Sequence, residues 1–565
     1  MNKQYRKELI KSLKKYTAEL LRHGEVVTGS KEEKKLLDTY SRILEESNPD
    51  IVIRKLPLRV LQWSEKESLV ETKEGTIKTT AFPYTLTNDI EETHIFIGKC
   101  DDLFKRRHHV LNNIHDKIVS VFMPRDLDDV EDCYFKLLEM GVTGIIFIDF
   151  LDVHRRFVIT GSRDYSYNMG APPLIPVLHV GKSQARHFIK HSGEKIRIYT
   201  ETIVRESTGT TLEGILAGRR DHEYVLLTTH HDHWFSGFHD NILGMAFIAM
   251  MARQLKNSKL ERSLLLVSFT AEESGALGFA GWYWSYGSRS YASDIKTRSI
   301  DITAVVNVDM PGRSRICFSG TPEMRIYARK IAEKHGYEEL LELEDDNPYM
   351  DSISFSTAGW PSASIHSLPY LQEIYHSSRD VSSEADWIEI WRAYEFYKEI
   401  VEGLSRGDDL PYSEGIKSIY DTYAELNPPI ELLSILYKIY RATRTCGNKV
   451  IQFLYSKYYR AYIEVYKEAP TTIRSSLLPH LSLLRDIRVM ENDSITSIPV
   501  KRYIIGYLEE LPGLSTIASD SHSNIRRAVK KNLNYMMLAL QWTLKLYVKR
   551  LANEIDELIG KACSG

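Results

Sequence analysis

The chain has 565 residues, which at roughly 150 residues per domain suggests three or four domains. Hydrophobic residues make up 43% and charged residues 26%, the proportions of a globular chain able to bury several cores without staples. With 73 basic against 76 acidic side chains, a net charge of −3, there is no electrostatic footprint for nucleic acid, and no run approaches the roughly 18 apolar residues of a membrane span.

Residues 1–20 carry charges every few positions and predict an amphipathic helix, whereas a signal peptide needs an unbroken apolar core. Helical character continues to residue 46, with a turn at Thr28-Gly29-Ser30. From about 50 to 120 the pattern changes to short β-rich runs, such as 51–53 and 94–97. A β-α-β unit follows: apolar runs at 118–122 and 144–148 flank a helical stretch over 128–140 that stops at Gly141. Another apolar run, 174–180, precedes a helix at 182–191. From 224 to about 400, buried strands are predicted at 224–229, 263–270, 302–310 and 363–367, separated by helices such as 243–255. That alternation predicts an α/β fold with a doubly wound, mostly parallel sheet, whose ligands bind at the carboxyl ends of the strands. Residues 406–411 predict a linker, and 411–565 a helical region with Tyr455, Tyr459, Tyr462 and Tyr466 in one stripe and a long final helix from Ile525.

Cys100, Cys133, Cys317, Cys446 and Cys563 are odd in number and widely spaced, with no CxxC pair. This predicts neither a disulfide framework nor a cysteine zinc site, and a reducing, cytoplasmic compartment.

Four predicted strands each end in a histidine or an acid. The first ends at Thr229-His230-His231-Asp232-His233-Trp234, with Asp240 ten residues beyond His230. The second runs into Glu272-Glu273, the third into Asp309, and the fourth precedes His376 in Tyr375-His376-Ser377. His231, His233 and His239 are expected to be satisfied or exposed rather than ligands. Two histidines and several carboxylates on one sheet edge supply nitrogen and oxygen donors for borderline divalent metals, zinc first. They exceed the need of one tetrahedral ion, and a shared carboxylate suits two ions about 3.5–4 Å apart.

On these residues the chain resembles the zinc-dependent exopeptidases that include bacterial leucyl aminopeptidases, glutamate carboxypeptidase and the transferrin receptor. The resemblance covers roughly residues 15–400. It implies a catalytic domain from 1–65 and 206–405, an inserted protease-associated domain over 66–205, and a helical domain over 406–565 through which a twofold homodimer is expected. It further implies two Zn²⁺ per chain, with Co²⁺ or Mn²⁺ as substitutes. His230 and Asp309 would bind one ion, Glu273 and His376 the other, and Asp240 would bridge them. Glu272 would be the general base toward a metal-bridging water, and Asp232 would orient His230. A cis peptide is implied after Asp240. Acid-specific carboxypeptidases of this group carry Y-x-Y-R-R-G in the inserted domain, where this chain has Tyr165-Ser166-Tyr167-Asn168-Met169-Gly170. The missing arginines favour aminopeptidase action on peptides over a glutamate-type carboxypeptidase, with Tyr167 and Tyr375 as candidate substrate-binding residues. Arg163, Arg313 and Arg315 are the remaining candidates for binding a carboxylate. A non-catalytic receptor-like scaffold and a cyclase or deacylase on a similar metal site are the rival readings. Retention of every ligand position speaks against the scaffold.

Overall fold

The computed structural model describes residues 3–445, apart from 101–113, 126, 128, 161–170, 280–282, 299, 348 and 426–429, together with scattered helical positions between 542 and 560. Its strands in chain order are β1 (Val52–Thr72), β2 (Gly75–Lys78), β3 (Thr80–Ala81), β4 (Asn88–Lys99), β5 (Ile118–Phe122), β6 (Gly144–Ile148), β7 (Val177–Val180), β8 (Lys195–Leu216), β9 (Arg220–His230), β10 (Arg262–Phe269), β11 (Asp301–Val308), β12 (Ile316–Gly320), β13 (Leu341–Asp345) and β14 (Ser362–His366). They join in the order β13-β12-β14-β11-β9-β10-β8-β4-β5-β6-β7-β3, with β1 paired to β8 and β2.

The centre is parallel: β14, β11, β9 and β10 run side by side. β10 and β14 are buried along their whole length, as strands covered by helices on both faces must be. The helix Leu243–Gln254 is buried almost all round, and Lys3–Leu20 and Lys31–Ser47 pack over it. Leu13, Leu36, Leu227, Phe247 and Tyr397 share this core, and burying each such side chain contributes about 1.5–3 kcal/mol. Ser30 caps Lys31–Ser47 by accepting from the Glu33 amide. The helix Trp387–Arg406 is capped by Asp386 and ends at Gly407 with φ 104°, where a side chain would be strained.

The β-α-β unit falls where the apolar runs placed it: β5 and β6 flank the helix Asp129–Glu139. β4 to β7 are parallel neighbours over a separate core containing Val121, Tyr134, Leu137 and Phe147.

Three expectations are corrected. The short runs between 50 and 100 belong to long strands. β1 and β8 form an antiparallel ribbon from Val52↔Ile215 to Glu71↔Arg197, with an irregularity at Glu65/Glu67. The expected domain boundaries at 65/66 and 205/206 both fall inside this ribbon. Second, the sulfurs of Cys100 and Cys133 are bonded, so cysteine usage no longer argues for a reducing compartment. Cys317 is free and buried, while Cys446 and Cys563 lie outside the described residues. Third, the expected linker at 406–411 is tied down. Arg262, itself buried, donates to the carbonyls of Leu404 and Asp408, and Tyr327 donates to the Asp408 carboxylate. The helices Tyr412–Ala424 and Ile430–Thr445 then add Ile416, Ile419, Leu436 and Ile439 to the main core. The tyrosine stripe at 455–466 lies outside the described residues. No described helix is long and apolar enough to cross a membrane.

Candidate metal centre

Parallel strands that end together deliver their terminal residues to one edge. β9 ends at His230, β10 and β11 stop just before the Glu272-Glu273 pair and Asp309, and the loop after β14 carries His376. Asp240 follows the β9 turn, just before the helix Leu243–Gln254, and its peptide bond to Asn241 is cis. All five expected ligands are buried and fall into two groups sharing one member: His230, Asp240, Asp309, and Asp240, Glu273, His376. Within each group one donor atom per residue lies within 4.8 Å of the others.

The shared residue faces both ways. Asp240 Oδ1 lies 3.3 Å from His230 Nε2, and Oδ2 lies 3.5 Å from His376 Nε2. His230 Nε2 is also 3.4 Å from Asp309 Oδ1, and His376 Nε2 is 2.9 Å from Glu273 Oε2. Both rings are aimed from behind by carbonyls: His230 Nδ1 reaches the Asp232 carbonyl at 3.0 Å, and His376 Nδ1 the Arg156 carbonyl at 3.2 Å.

Asp232 thus touches His230 through its backbone, not through its carboxylate as the resemblance implied. The carboxylate instead accepts from Thr28 Oγ1 at 2.9 Å and from the Glu272 and Glu273 amides at 3.1 Å each. It fixes the turn that presents both glutamates. Glu272 belongs to neither ligand group, and Ser285 Oγ donates to it at 3.2 Å. Glu273 takes the Trp234 indole N–H at 3.1 Å.

The charge is lopsided. Asp240, Glu272, Glu273 and Asp309 face two imidazoles, with no lysine or arginine at ion-pair distance among the described residues. Burial pushes the carboxyls of Glu272 and Glu273 well above the ordinary range, and raises Asp309. Burial works the same way on Asp240, but His230 and His376 outweigh it and hold that carboxyl low. Burial presses His230 down, yet Asp309 and Asp240 raise it well above the usual imidazole value; burial holds His376 at about 4. Buried acids in this number need a cation beside them. Left-handed backbone clusters here too: Ala271, Met310 and His376 have φ of 57°, 42° and 51° and lie at or within two residues of candidate ligands.

His231 and His233 are not ligands. His231 bonds Ser268 and Glu33, and His233 bonds the carbonyls of His231 and Gly24. His239 Nδ1 bonds Asp380, while its Nε2 is buried without a partner. Tyr375 stacks on His376 with centroids 3.7 Å apart and is partly exposed. Arg163 and the 165–170 loop with Tyr167 lie outside the described residues. Arg315 pairs with Glu342, and Arg313 donates to the Glu384 carbonyl.

Sequence reasoning missed four supporting residues. Asp380 accepts from the amides of His239 and Asp240 and so pins the residue shared by the two groups. Glu33 accepts from His231, Gly29 and Thr270; the S-x-x-E spacing of a capping box, Ser30 to Glu33, was its one sequence signal. Arg156 lies over Trp63, Trp234 and Phe235, bonds Glu25 and Glu65, and donates its backbone N–H to the His376 carbonyl. Asp351, fully buried and held up to about 7 chiefly by burial, has neither carboxylate oxygen hydrogen-bonded. No sequence signal marks Asp380, Arg156 or Asp351.

Residues 212–401 match the model of Peptidase family M28. The fold is similar to BSAP, a zinc aminopeptidase from Bacillus subtilis, at 17% identity and a TM-score of 0.55, covering 71% of this chain and 95% of that one. It is equally similar to a peptidase M28 precursor from Shewanella amazonensis SB2B, at 17% identity and a TM-score of 0.55, covering 72% and 97%. At these identities the likeness establishes the fold. No curated protein matches by sequence. The matched segment spans β9, β10, β11 and β14 and every metal-ligand candidate, and through residues 212–401 the chain is similar to peptidase family M28.

Proposed function

We propose that the chain is a dinuclear zinc aminopeptidase. The observation that carries the reading is the Asp240 carboxylate, whose two oxygens serve different histidines and so join two ligand groups. Each group offers one imidazole nitrogen and two carboxylates, a donor set suited to zinc and tolerant of cobalt or manganese. The excess of buried acid over base fits two divalent ions.

Bound zinc supplies Lewis acidity, polarising the scissile carbonyl and lowering the pKa of water. Glu272, free of both ligand groups, takes a proton from the attacking water at its carboxylate and passes it to the leaving nitrogen. Ser285 Oγ orients that carboxylate, and Asp232 holds the backbone beneath it. Tyr375 flanks the reacting bond, and Phe157, 5.8 Å from His376 ring to ring, walls the same side. Tyr167 is assigned to the substrate pocket on the resemblance alone.

Action at the amino end is supported by the state of the nearby guanidinium groups. A carboxypeptidase of the acidic type needs a guanidinium free for the substrate carboxylate. Arg155 is engaged by Asp149 and three carbonyls, and Arg156 by Glu25, Glu65 and the Ala81 carbonyl. The similarity to BSAP, described as a zinc aminopeptidase, points the same way. The test is zinc-loaded protein incubated with a pool of defined peptides and read by mass spectrometry. Loss of residues from the amino end is expected. Trimming from the carboxyl end would move the chain to the carboxypeptidases, and intact peptides would reject an exopeptidase.

A further inference from the structure

Away from the peptidase centre, Glu74, His187 and His191 bring three metal-ligating side chains together. His187 lies on the helix Ala185–Lys190 and His191 follows it, one turn on, so both rings share a face, with centroids 4.4 Å apart. Glu74 comes from the turn between β1 and β2. One donor atom of each lies within 4.8 Å of the others. His191 Nε2 is 3.2 Å from Glu74 Oε2, and donors of a tetrahedral zinc with bonds of about 2.0–2.1 Å sit about 3.3 Å apart.

Two further observations point to a ligand. His191 Nδ1 is bound by the Glu194 carboxylate at 2.8 Å. A carboxylate behind the ring fixes the proton on Nδ1 and turns the Nε2 lone pair toward the cluster, as it does behind metal-bound histidines. That Nε2 is buried, makes no hydrogen bond of proper geometry and faces Glu74 Oε2 at 3.2 Å, where a metal would displace the proton that Glu194 and Glu74 favour on the ring. His187 Nε2 meets only the Thr72 hydroxyl, at 3.0 Å, which can rotate aside. The competing cation is Lys190, whose ammonium pairs with the other oxygen of Glu74.

We propose that Glu74, His187 and His191 form an additional zinc site, separate from the peptidase centre, with water in the fourth position. It clamps the β1–β2 turn to the helix Ala185–Lys190. Two imidazoles and one carboxylate take zinc, and also nickel or copper, in preference to calcium or magnesium. The site is independent of the peptide chemistry, because no residue of the peptidase centre takes part in it.

The experiment strips the full-length protein with a chelator, titrates it with zinc chloride, and counts retained metal by mass spectrometry after desalting. His187→Ala is expected to retain one equivalent less than the unmodified chain, with peptide hydrolysis within about twofold. Lys190→Ala removes the competing ammonium and is expected to bind that equivalent several-fold more tightly, a gain that a folding defect cannot imitate. Equal metal counts in the unmodified chain and His187→Ala would overturn the proposal. So would unchanged zinc affinity in Lys190→Ala.

Discussion

Glu272 and Glu273 are neighbours in the chain with different partners. Glu273 lies 2.9 Å from His376 and accepts from Trp234, whereas Glu272 touches Ser285 and stands outside both ligand groups. Glu272→Gln is therefore expected to keep both metal equivalents of the peptidase centre while kcat falls by about two to four orders of magnitude. Glu273→Gln is expected to lose one equivalent, and elemental analysis beside steady-state kinetics separates the two. Metal loss in Glu272→Gln would exchange their roles. Asp232 yields a second prediction. Its carboxylate holds the amides of both glutamates, so Asp232→Ala should weaken zinc binding by about 10–100-fold even though no carboxylate oxygen of Asp232 reaches a ligand atom. Zinc affinity equal to that of the unmodified chain would show that the turn holds without it. The candidate ligands were legible in the sequence because they stand at, or within about ten residues of, the ends of apolar runs of strand length, and the ends of parallel strands share an edge. Asp380 and Arg156 were not legible, because the His239 and His376 they hold lie 141 and 220 positions away and neither stands in a local pattern.

Elements show the same division. The central strands are continuous Val, Leu and Ile runs, and burial on both faces leaves such runs no other place. β1 and β8 read poorly because their faces are unevenly buried, with exposed charge at Arg54, Lys55 and Lys66 interrupting the alternation, and because each strand's partner is more than a hundred residues distant. The segment just after β6 was equally silent, yet it carries Arg155, Arg156 and Phe157 against the His376 loop. Arg156 is the cross-link between elements. Its guanidinium bonds Glu25 before the helix Lys31–Ser47, Glu65 on β1 and the carbonyl of Ala81 on β3, while its own carbonyl aims His376. Removing one member of a buried charge cluster strands the others. Arg156→Met should therefore cost about 3–5 kcal/mol in urea unfolding and lower zinc affinity together. A loss under about 1 kcal/mol would mean that solvent already compensates Glu25 and Glu65.

At the scale of the whole molecule, composition misjudged the cysteines, since Cys100 and Cys133 are 33 residues apart and only the fold brings them together. The expected homodimer through residues 411–565 stays a proposal, to be settled by light scattering on the full chain. Stability against pH follows from two histidines outside the metal centre. Burial holds His94 and His366 each at about 4. Both neutral rings are satisfied: His94 donates from Nδ1 to the His191 carbonyl and accepts at Nε2 from Ser120 at 2.7 Å, while His366 meets Ser319 at 2.6 Å and accepts from the Leu368 amide. In the unfolded chain the same rings take a proton at about 6.5. Above that pH both states are neutral and the two histidines are indifferent. Between about 6.5 and 4 the unfolded state alone gains protons, so stability falls as pH falls, and below about 4 the loss is complete. The ceiling is about 3 kcal/mol for each histidine. With chelator present, so that metal release does not contribute, the urea midpoint should drop between pH 7.5 and 5. His94→Gln with His366→Gln should flatten that drop while lowering stability at pH 7.5. An unchanged slope in the double variant would assign the acid sensitivity to other groups.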